Sequence, residues 1–139
     1  MTGPFAKQLQ DFAIKAKARA DDAVAALVVT IVGKIDERSP VGNPDLWQFN
    51  RGTKEAPDYV NFLAYKDADG YVGGRFRANW QLGVDLKPEG TVNDVAPRGD
   101  DSTLNANLGK IPEAAFGHTY WYVNNLPYAQ PLENGWSTQ

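Results

Sequence analysis

The chain of 139 residues is predicted to fold as an α+β protein, with a long N-terminal helix packed on a small antiparallel sheet, a short second helix and long loops. Three observations predict this class. Apolar residues recur with a helical spacing up to residue 35, residues 75–84 alternate like a strand, and eight of the nine prolines lie beyond residue 38. We therefore divide a single domain into a helix at 1–38 and an α+β body at 39–139.

The predicted helix is defined by apolar side chains three or four residues apart, at positions 5, 9, 12, 16, 20, 24, 27, 31 and 35. Thr2 can cap its start, Pro4 suits a first turn, and Ser39-Pro40 ends it because proline cannot continue a helix. The first half of the stripe consists of small residues, namely Ala13, Ala16 and Ala20. The second half is heavily apolar, with Val24, Leu27, Val28, Ile31 and Ile35. We expect the second half to pack on the body and the first half to project toward another subunit; the alternative is a helix that breaks near Arg19 and folds back.

The body is predicted to contain two strands and one short helix between loops. Residues 42–74 form an extended loop, with a short strand near Tyr59–Tyr65. In residues 75–84, Phe76 and Trp80 alternate with Arg75 and Arg77, which predicts a strand with a buried face and a solvent face. A short helix starts at Asp101 or Ser102 and ends near Leu108, and residues 118–124 form the second strand. The C-terminal arm, 125–139, is expected to be an ordered loop.

The composition argues against several classes of function. With no cysteine and one histidine, the chain cannot build a disulfide scaffold, a thiolate site or a multi-histidine zinc site. The net charge of −3 argues against a general nucleic-acid binder, which carries a basic surplus. The longest apolar run, 23–33, is shorter than the roughly 20 residues that span a bilayer. We expect a soluble protein, made in a reducing cytosol, that has no cofactor and no membrane partner.

Short motifs that resemble catalytic or metal sites have simpler interpretations. Asp67-Ala-Asp69-Gly70 begins like a calcium loop, but Ala78 stands where the loop needs a bidentate glutamate, so we interpret it as a turn. The glycine-rich segment 70–74 lacks the Lys-Ser/Thr of a phosphate loop and indicates a hinge. An enzyme built on His118, with Glu133 and a serine, lacks a nucleophile elbow. We interpret His118 as a half-exposed residue at a strand start and expect no catalytic residues.

Aromatic residues are frequent and allow two interpretations. The set consists of Trp47, Trp80, Trp121, Trp136, Tyr120, Tyr122 and Tyr128. One interpretation is a small carbohydrate-binding module that stacks sugar rings on exposed aromatics. The other, which we favour, is that these side chains form the core and a subunit interface, since aromatics dominate both.

Two segments carry recognisable motifs. The first is Ser39-Pro-Val-Gly-Asn-Pro-Asp-Leu-Trp47, resumed at Gly70-Tyr-Val-Gly-Gly-Arg-Phe-Arg-Ala-Asn-Trp-Gln81. The second is Tyr122-Val-Asn-Asn-Leu-Pro-Tyr-Ala-Gln-Pro-Leu-Glu-Asn-Gly-Trp-Ser-Thr-Gln139. Together they resemble the tail completion proteins of tailed bacteriophages, the neck or head–tail joining family. The resemblance covers about 60% of the chain, and residues 48–69 are an insertion relative to many family members.

The resemblance implies a structural, non-enzymatic virion protein assembled in the host cytoplasm. It would form a homo-oligomeric ring, expected to have six copies, between a head-side adaptor or stopper and the tail terminator or tube proteins, with genomic DNA passing through the lumen without specific binding. The residues of the family motifs, expected at subunit contacts, are Pro40, Arg75, Phe76, Arg77, Asn79, Trp80, Asn124, Asn125, Pro127, Tyr128, Glu133 and Gly135.

The chemistry of these motif residues suits such contacts. Glu133 is a candidate partner for Arg75 or Arg77, since arginine forks bind carboxylates. The pair Asn124-Asn125 can tolerate left-handed turns and can bond its own backbone at the strand end.

Overall fold

The computed structural model describes residues 3–41 and 73–134. In these ranges the elements are helix α1 (Pro4–Arg38), helix α2 (Arg75–Ala78), strand β1 (Trp80–Val84), helix α3 (Ser102–Leu108), strand β2 (Tyr120–Asn124) and helix α4 (Ala129–Glu133). Strands β1 and β2 pair as a small antiparallel sheet, which confirms the predicted α+β class. The predicted cap at Thr2, the strand near Tyr59–Tyr65 and nearly all of loop 42–74 lie outside the described residues.

Helix α1 is continuous, so the alternative of a break near Arg19 is wrong. It begins at Pro4 and ends at Arg38, just before the Ser39-Pro40 pair that the sequence indicates as its end. At about 1.5 Å per residue, its 35 residues extend for about 52 Å.

The described chain forms two compact units. The first unit comprises Met1–Arg38, Gln81–Glu89 and Ser102–Val123. Its core is Val28, Val32 and Leu82, against which partly buried side chains pack: Val24, Leu104, Leu108, Ile111, Tyr120 and Tyr122. The second half of α1 therefore packs on neighbouring elements, as predicted.

The prediction of which side chains of α1 pack is wrong in part. Leu27 and Ile31 were expected in the core, but both are exposed, and Val28 and Val32 are buried in their place. Successive residues of a helix lie about 100° apart, so the valines at 24, 28 and 32 form a face distinct from that of Leu27 and Ile31. The sequence spacing allowed both faces, and packing selected the valine face.

Helix α3 confirms the predicted short helix and contributes a polar anchor to the first unit. Asn107, which is buried, accepts a hydrogen bond at its Oδ1 from the backbone N–H of Leu82, at 3.0 Å. This bond satisfies a donor of β1 inside the core, where an unpaired amide is costly.

The second unit comprises Ser39–Trp80, Gly90–Asp101 and Asn124–Gln139. The strand predicted over 75–84 is wrong in its first half, where residues 75–78 form the helical turn α2. Gly74 has a φ of 109°, and its carbonyl accepts hydrogen bonds from the N–H groups of Ala78 (2.9 Å) and Ala96 (3.1 Å). A Cβ at this position would collide with the carbonyl of Ala96, so glycine is needed both for the conformation and for the approach.

The C-terminal arm also departs from its prediction as a loop, because it contains helix α4. The N–H of Ala129 bonds to the carbonyl of Leu126, and that of Asn134 bonds to the carbonyl of Gln130. Pro131 is compatible with this helix since it lies in the first turn, where backbone N–H groups lack helical acceptors. Gly135 and Trp136 lie outside the described residues.

Candidate interaction surface

Described residues from the two motif segments meet in the second unit. The side-chain amide of Asn124 donates to the carbonyl of Phe76 at 2.9 Å, and the rings of Phe76 and Tyr128 lie 6.4 Å apart. Phe76 also meets Trp80 edge to face at 5.9 Å. Two segments that are far apart in the sequence thus form one local cluster.

Asn79 is the polar centre of this unit and has no exposed surface (0%). Its Nδ2 donates to the carbonyls of Arg75 (2.8 Å) and Val92 (3.1 Å), and its Oδ1 accepts the N–H of Val92 (2.8 Å). The asparagine therefore binds both backbone groups of Val92, as a neighbouring strand would, and holds the segment 90–101 against α2. The sequence analysis placed Asn79 at a subunit contact, whereas these three bonds are internal.

Arg77 was predicted on the solvent face of a strand, and this prediction is wrong: the residue is 4% exposed. Its Nη1 donates to the carbonyls of Pro97 and Asp100, each at 2.8 Å, and its Nη2 binds Oδ1 of Asp101 at 2.7 Å. The guanidinium is buried because α2 turns it inward, and backbone carbonyls compensate its lost hydration. The acid that binds Arg77 is Asp101, which the sequence analysis treated only as a helix cap; the predicted pairing of Glu133 with an arginine stays a prediction.

Further bonds tie the remaining buried motif residues into the same unit. The indole N–H of Trp80 donates to the hydroxyl of Ser39 at 2.9 Å, which confirms that Trp80 is buried. Asn125 donates from Nδ2 to the carbonyl of Gly90, and Asn124 Oδ1 accepts the N–H of Leu126. The bond of Asn124 to its own backbone confirms one of the two roles predicted for the asparagine pair. The pair does not form a left-handed turn, since in the described ranges the non-glycine residue with positive φ is Asp85.

The motif residues that remain accessible are a smaller set. Arg75, Pro127, Tyr128 and Glu133 are exposed, and Pro40 is half-buried. These side chains offer a cation, an anion and an aromatic ring, which is the residue chemistry of a subunit contact.

A second accessible surface runs along α1 in the first unit, and we call it the outer stripe. Phe5 (74% exposed), Phe12 (72%), Leu9, Leu27 and Ile31 are its large members. The small members are Ala16 and Ala23, both exposed, and Ala20, which is half-buried. Contiguous exposed apolar surface of this kind is rare on monomeric proteins and marks interaction sites.

The single histidine forms a pair that the sequence analysis missed. His118 Nδ1 lies 2.6 Å from Oδ2 of Asp85, which follows β1 and has a φ of 63°. Oδ1 of the same carboxylate accepts the N–H of Thr119 at 3.0 Å. The Thr119 amide and the His118 ring together lower the pKa of Asp85 below its ordinary value. The sequence feature that could have indicated this pair is an aspartate directly after a predicted strand, since aspartate tolerates the positive φ of a tight turn.

This pair joins the end of β1 to the start of β2. The N–H of Asp85 also donates to the carbonyl of Thr119 at 2.7 Å. Both the side chain and the backbone of Asp85 therefore form hydrogen bonds with Thr119. The enzyme hypothesis had paired His118 with Glu133, whereas the carboxylate in contact with the ring belongs to Asp85.

Tyr120 and Tyr122 pack on the core cluster of the first unit, in agreement with the core interpretation of the aromatics. The hydroxyl of Tyr120 donates to the carbonyl of Ala115 at 2.7 Å. Burial, and then the negative charges of Asp85 and Asp21, raise the pKa of Tyr120. Trp121 is exposed, and the ammonium of Lys87 lies over its ring, 5.8 Å from the centroid. Trp47 lies outside the described residues.

Within 3–41 and 73–134, no three histidine, aspartate or glutamate side chains are arranged to hold a metal ion. None of the helices in those ranges is both long enough and apolar enough to cross a membrane. Comparison with models of protein families, with curated proteins and with solved structures finds no match for this chain.

Proposed function

We propose that this protein is a structural subunit of a bacteriophage neck, where it forms a ring that completes the tail and joins it to the DNA-filled head. The supporting observation is the cluster formed by the two family motifs. Asn124 and Tyr128 of the second motif both contact Phe76 of the first, so the motifs that carry the resemblance form one structural feature.

The division of this cluster into buried and exposed residues indicates how the subunit would work. Asn79 and Arg77 rigidify the unit from inside. Arg75, Tyr128 and Glu133 remain on its surface, where they contact the next copy of the ring. Rings arise when such a head-to-tail contact repeats and closes, and arginine with tyrosine supplies much of the binding energy in protein contacts.

The charge distribution suits a channel for DNA. Residues beyond 38 carry a net charge of −4, against +1 for residues 1–38. An acidic lumen lacks the counterion-release attraction that holds DNA on basic proteins, so DNA slides through without specific binding. In this proposal the neighbours are the head-side adaptor or stopper and the tail terminator or tube proteins, and catalysis is not part of the function.

The test is to image virions produced without this protein. Full heads and separate, finished tails are expected, because heads and tails assemble independently and only the joint is lost. Complementation with Arg75→Glu is expected to restore few joined particles, since the substitution reverses a charge at the proposed ring contact. Arg38→Glu, an equal charge change at the exposed end of α1, is the matched control and is expected to restore joining. Intact infectious particles in the absence of the protein would refute the proposal.

The carbohydrate-binding alternative is less well supported, because the ammonium of Lys87 already occupies one face of the exposed Trp121 ring. Trp fluorescence that is quenched by an oligosaccharide would favour this alternative. An enzyme built on His118 would lose its activity in His118→Ala, whereas the same variant is expected to join heads to tails normally.

A further inference from the structure

The sequence contains one Asn-Gly pair, Asn134-Gly135, and it directly follows helix α4. Asparagine is thermally labile, because the backbone nitrogen of the next residue can attack its side-chain amide. The attack is fastest before glycine, since glycine has no side chain to shield its nitrogen and its backbone reaches the conformations that ring closure needs. The surroundings of each asparagine therefore determine which of them can react.

Several asparagines in the described ranges are held by hydrogen bonds from their side-chain amides to backbone groups. These residues are Asn79, Asn107, Asn124 and Asn125. A side chain held in this way is not free to turn toward the backbone nitrogen of the residue that follows it. Each of the four is also followed by a residue with a large side chain, which shields that nitrogen; these residues are Trp80, Leu108, Asn125 and Leu126.

Asn93 and Asn105 are exposed, but the residues around them hinder the same reaction. Asn105 lies inside α3, where helical hydrogen bonds fix the backbone on both sides of it. Asn93 is followed by Asp94, whose side chain shields the attacking nitrogen and whose negative charge opposes the loss of its proton. Exposure alone therefore does not make these two asparagines reactive.

Asn134 combines the conditions that the other described asparagines lack. It is exposed, and its side-chain amide makes no hydrogen bond within 3–41 and 73–134. Its own N–H bonds to the carbonyl of Gln130 at 3.1 Å, which joins the residue to the last turn of α4. The nitrogen that attacks belongs to residue 135, beyond the end of α4 at Glu133, so no hydrogen bond inside that helix has to break.

We propose that Asn134 deamidates spontaneously, through attack by the backbone nitrogen of Gly135, to give aspartate and isoaspartate. In the first step a bond forms between this nitrogen and Cγ of Asn134, and the bond from Cγ to the side-chain nitrogen breaks. The side-chain nitrogen leaves as ammonia with the proton of the attacking N–H, and a cyclic succinimide remains. In the second step one water molecule opens the ring. Cleavage at Cγ gives aspartate, and cleavage at the main-chain carbonyl carbon gives isoaspartate, in which the backbone runs through the side chain.

Both products place a new carboxylate beside Glu133 at the C-terminal end of α4. The net charge of the chain changes from −3 to −4, because one neutral amide becomes one negative charge. Negative charge is unfavourable at this end of a helix, where the last carbonyl groups lack helical partners. The modification therefore weakens the last turn of α4 as the protein ages. It does not rest on the neck function, because it concerns the purified chain alone.

The first test incubates the purified protein at mildly alkaline pH, where the attacking nitrogen loses its proton more readily, and locates the change by mass spectrometry. Trypsin cuts after lysine and arginine, so residues 111–139 form one peptide that contains Asn124, Asn125 and Asn134. Deamidation makes this peptide about 1 Da heavier. Fragmentation is expected to place the gain at Asn134, with the other two asparagines unchanged, and chromatography is expected to separate two products of equal mass. Conversion of other asparagines while Asn134 stays intact would overturn the proposal.

The second test asks whether the nitrogen of residue 135 is the attacking group. Gly135→Val places a branched side chain beside this nitrogen and is expected to slow the conversion of Asn134 by about tenfold or more. Asn134→Gln is expected to abolish the mass gain, because the longer side chain closes a larger ring far more slowly. Asn93→Gln, the same change at another exposed asparagine, is the matched control and is expected to leave the conversion at Asn134 unchanged. Equal rates in the native chain and in Gly135→Val would refute the proposed reaction.

Discussion

The two compact units of this protein are stabilised by different kinds of interaction. In the first unit, apolar side chains of α1 and β1 form the core, with Val32 and Leu82 almost fully buried. In the second unit, polar side chains bind backbone groups of a segment without regular secondary structure, as Asn79 does with Val92 and Arg77 with Pro97. Both units bury apolar side chains, with Phe76, Trp80 and Leu126 among those of the second, but the second unit adds part-buried hydrogen bonds to loop backbone, and their loss leaves groups unsatisfied.

This difference predicts how each unit responds to damage. An apolar core loses stability in proportion to the volume removed and relaxes around the cavity. Removing a buried polar residue with several partners destabilises mainly the segment that it binds, because donors and acceptors there are left without partners where water is excluded. Substitutions in the two units are therefore expected to differ in how much stability they remove and in which part of the chain exchanges its amide hydrogens faster.

The largest effect is expected for Asn79→Ala. It removes three part-buried hydrogen bonds of a fully buried side chain, and leaving a partner unsatisfied costs about 1–3 kcal/mol, so we expect a loss of about 4 kcal/mol. Hydrogen exchange is expected to accelerate first at the amide of Val92. Asn93→Ala, at an exposed neighbour in the same segment, is the control and is expected to cost under about 0.5 kcal/mol. Uniform exchange throughout the chain in Asn79→Ala would contradict the contrast between the units.

A smaller loss is expected for Leu82→Ala in the first unit. The side chain is 2% exposed and lies on Val28 and Val32, and such truncations cost about 2–5 kcal/mol, with about 3 expected here. The measurement is the urea midpoint followed by the circular dichroism of the helices. Leu86→Ala, at an exposed leucine just beyond β1, is expected to leave the midpoint nearly unchanged. Equal losses from the two leucines would show that the described core does not stabilise the unit.

The smallest effect, a dependence on pH, is expected for Asp85→Asn. The pKa of Asp85 is lowered by the Thr119 N–H and by His118, so its ionised form is favoured in the folded chain. This contribution to stability is complete above the ordinary pKa of 3.8 and is lost as the pH falls through the lower pKa of the folded state. The urea midpoint of the native protein is therefore expected to fall more steeply than that of Asp85→Asn below about pH 4. Parallel pH profiles for the two proteins would refute a stabilising role for this carboxylate.

Elements that depend on local signals could be predicted from the sequence, whereas elements that depend on contacts between distant residues could not. The start and end of α1, the helix at Ser102–Leu108 and the second strand follow from apolar periodicity, proline and capping, which are local signals. In contrast, the alternation in 75–84 predicted a strand where α2 begins, because hydrophobic order alone does not show that Gly74 turns the chain beside Ala96. Of the residues expected at subunit contacts, Arg77 and Asn79 make internal bonds, and Asp85 and Asp101 were missed as partners.

By itself, the sequence determined that this chain has a long N-terminal helix ending before Ser39-Pro40, a short helix at Ser102–Leu108 and a strand at Tyr120–Asn124. These are properties of neighbouring residues, since periodicity and backbone-restricting residues act within a few positions of one another. Only the tertiary structure decided which face of α1 is buried, that Arg77 turns inward and that Asn79 holds Val92. Each of those outcomes depends on contacts with residues that are distant in the sequence. A pattern of neighbouring residues does not show such contacts.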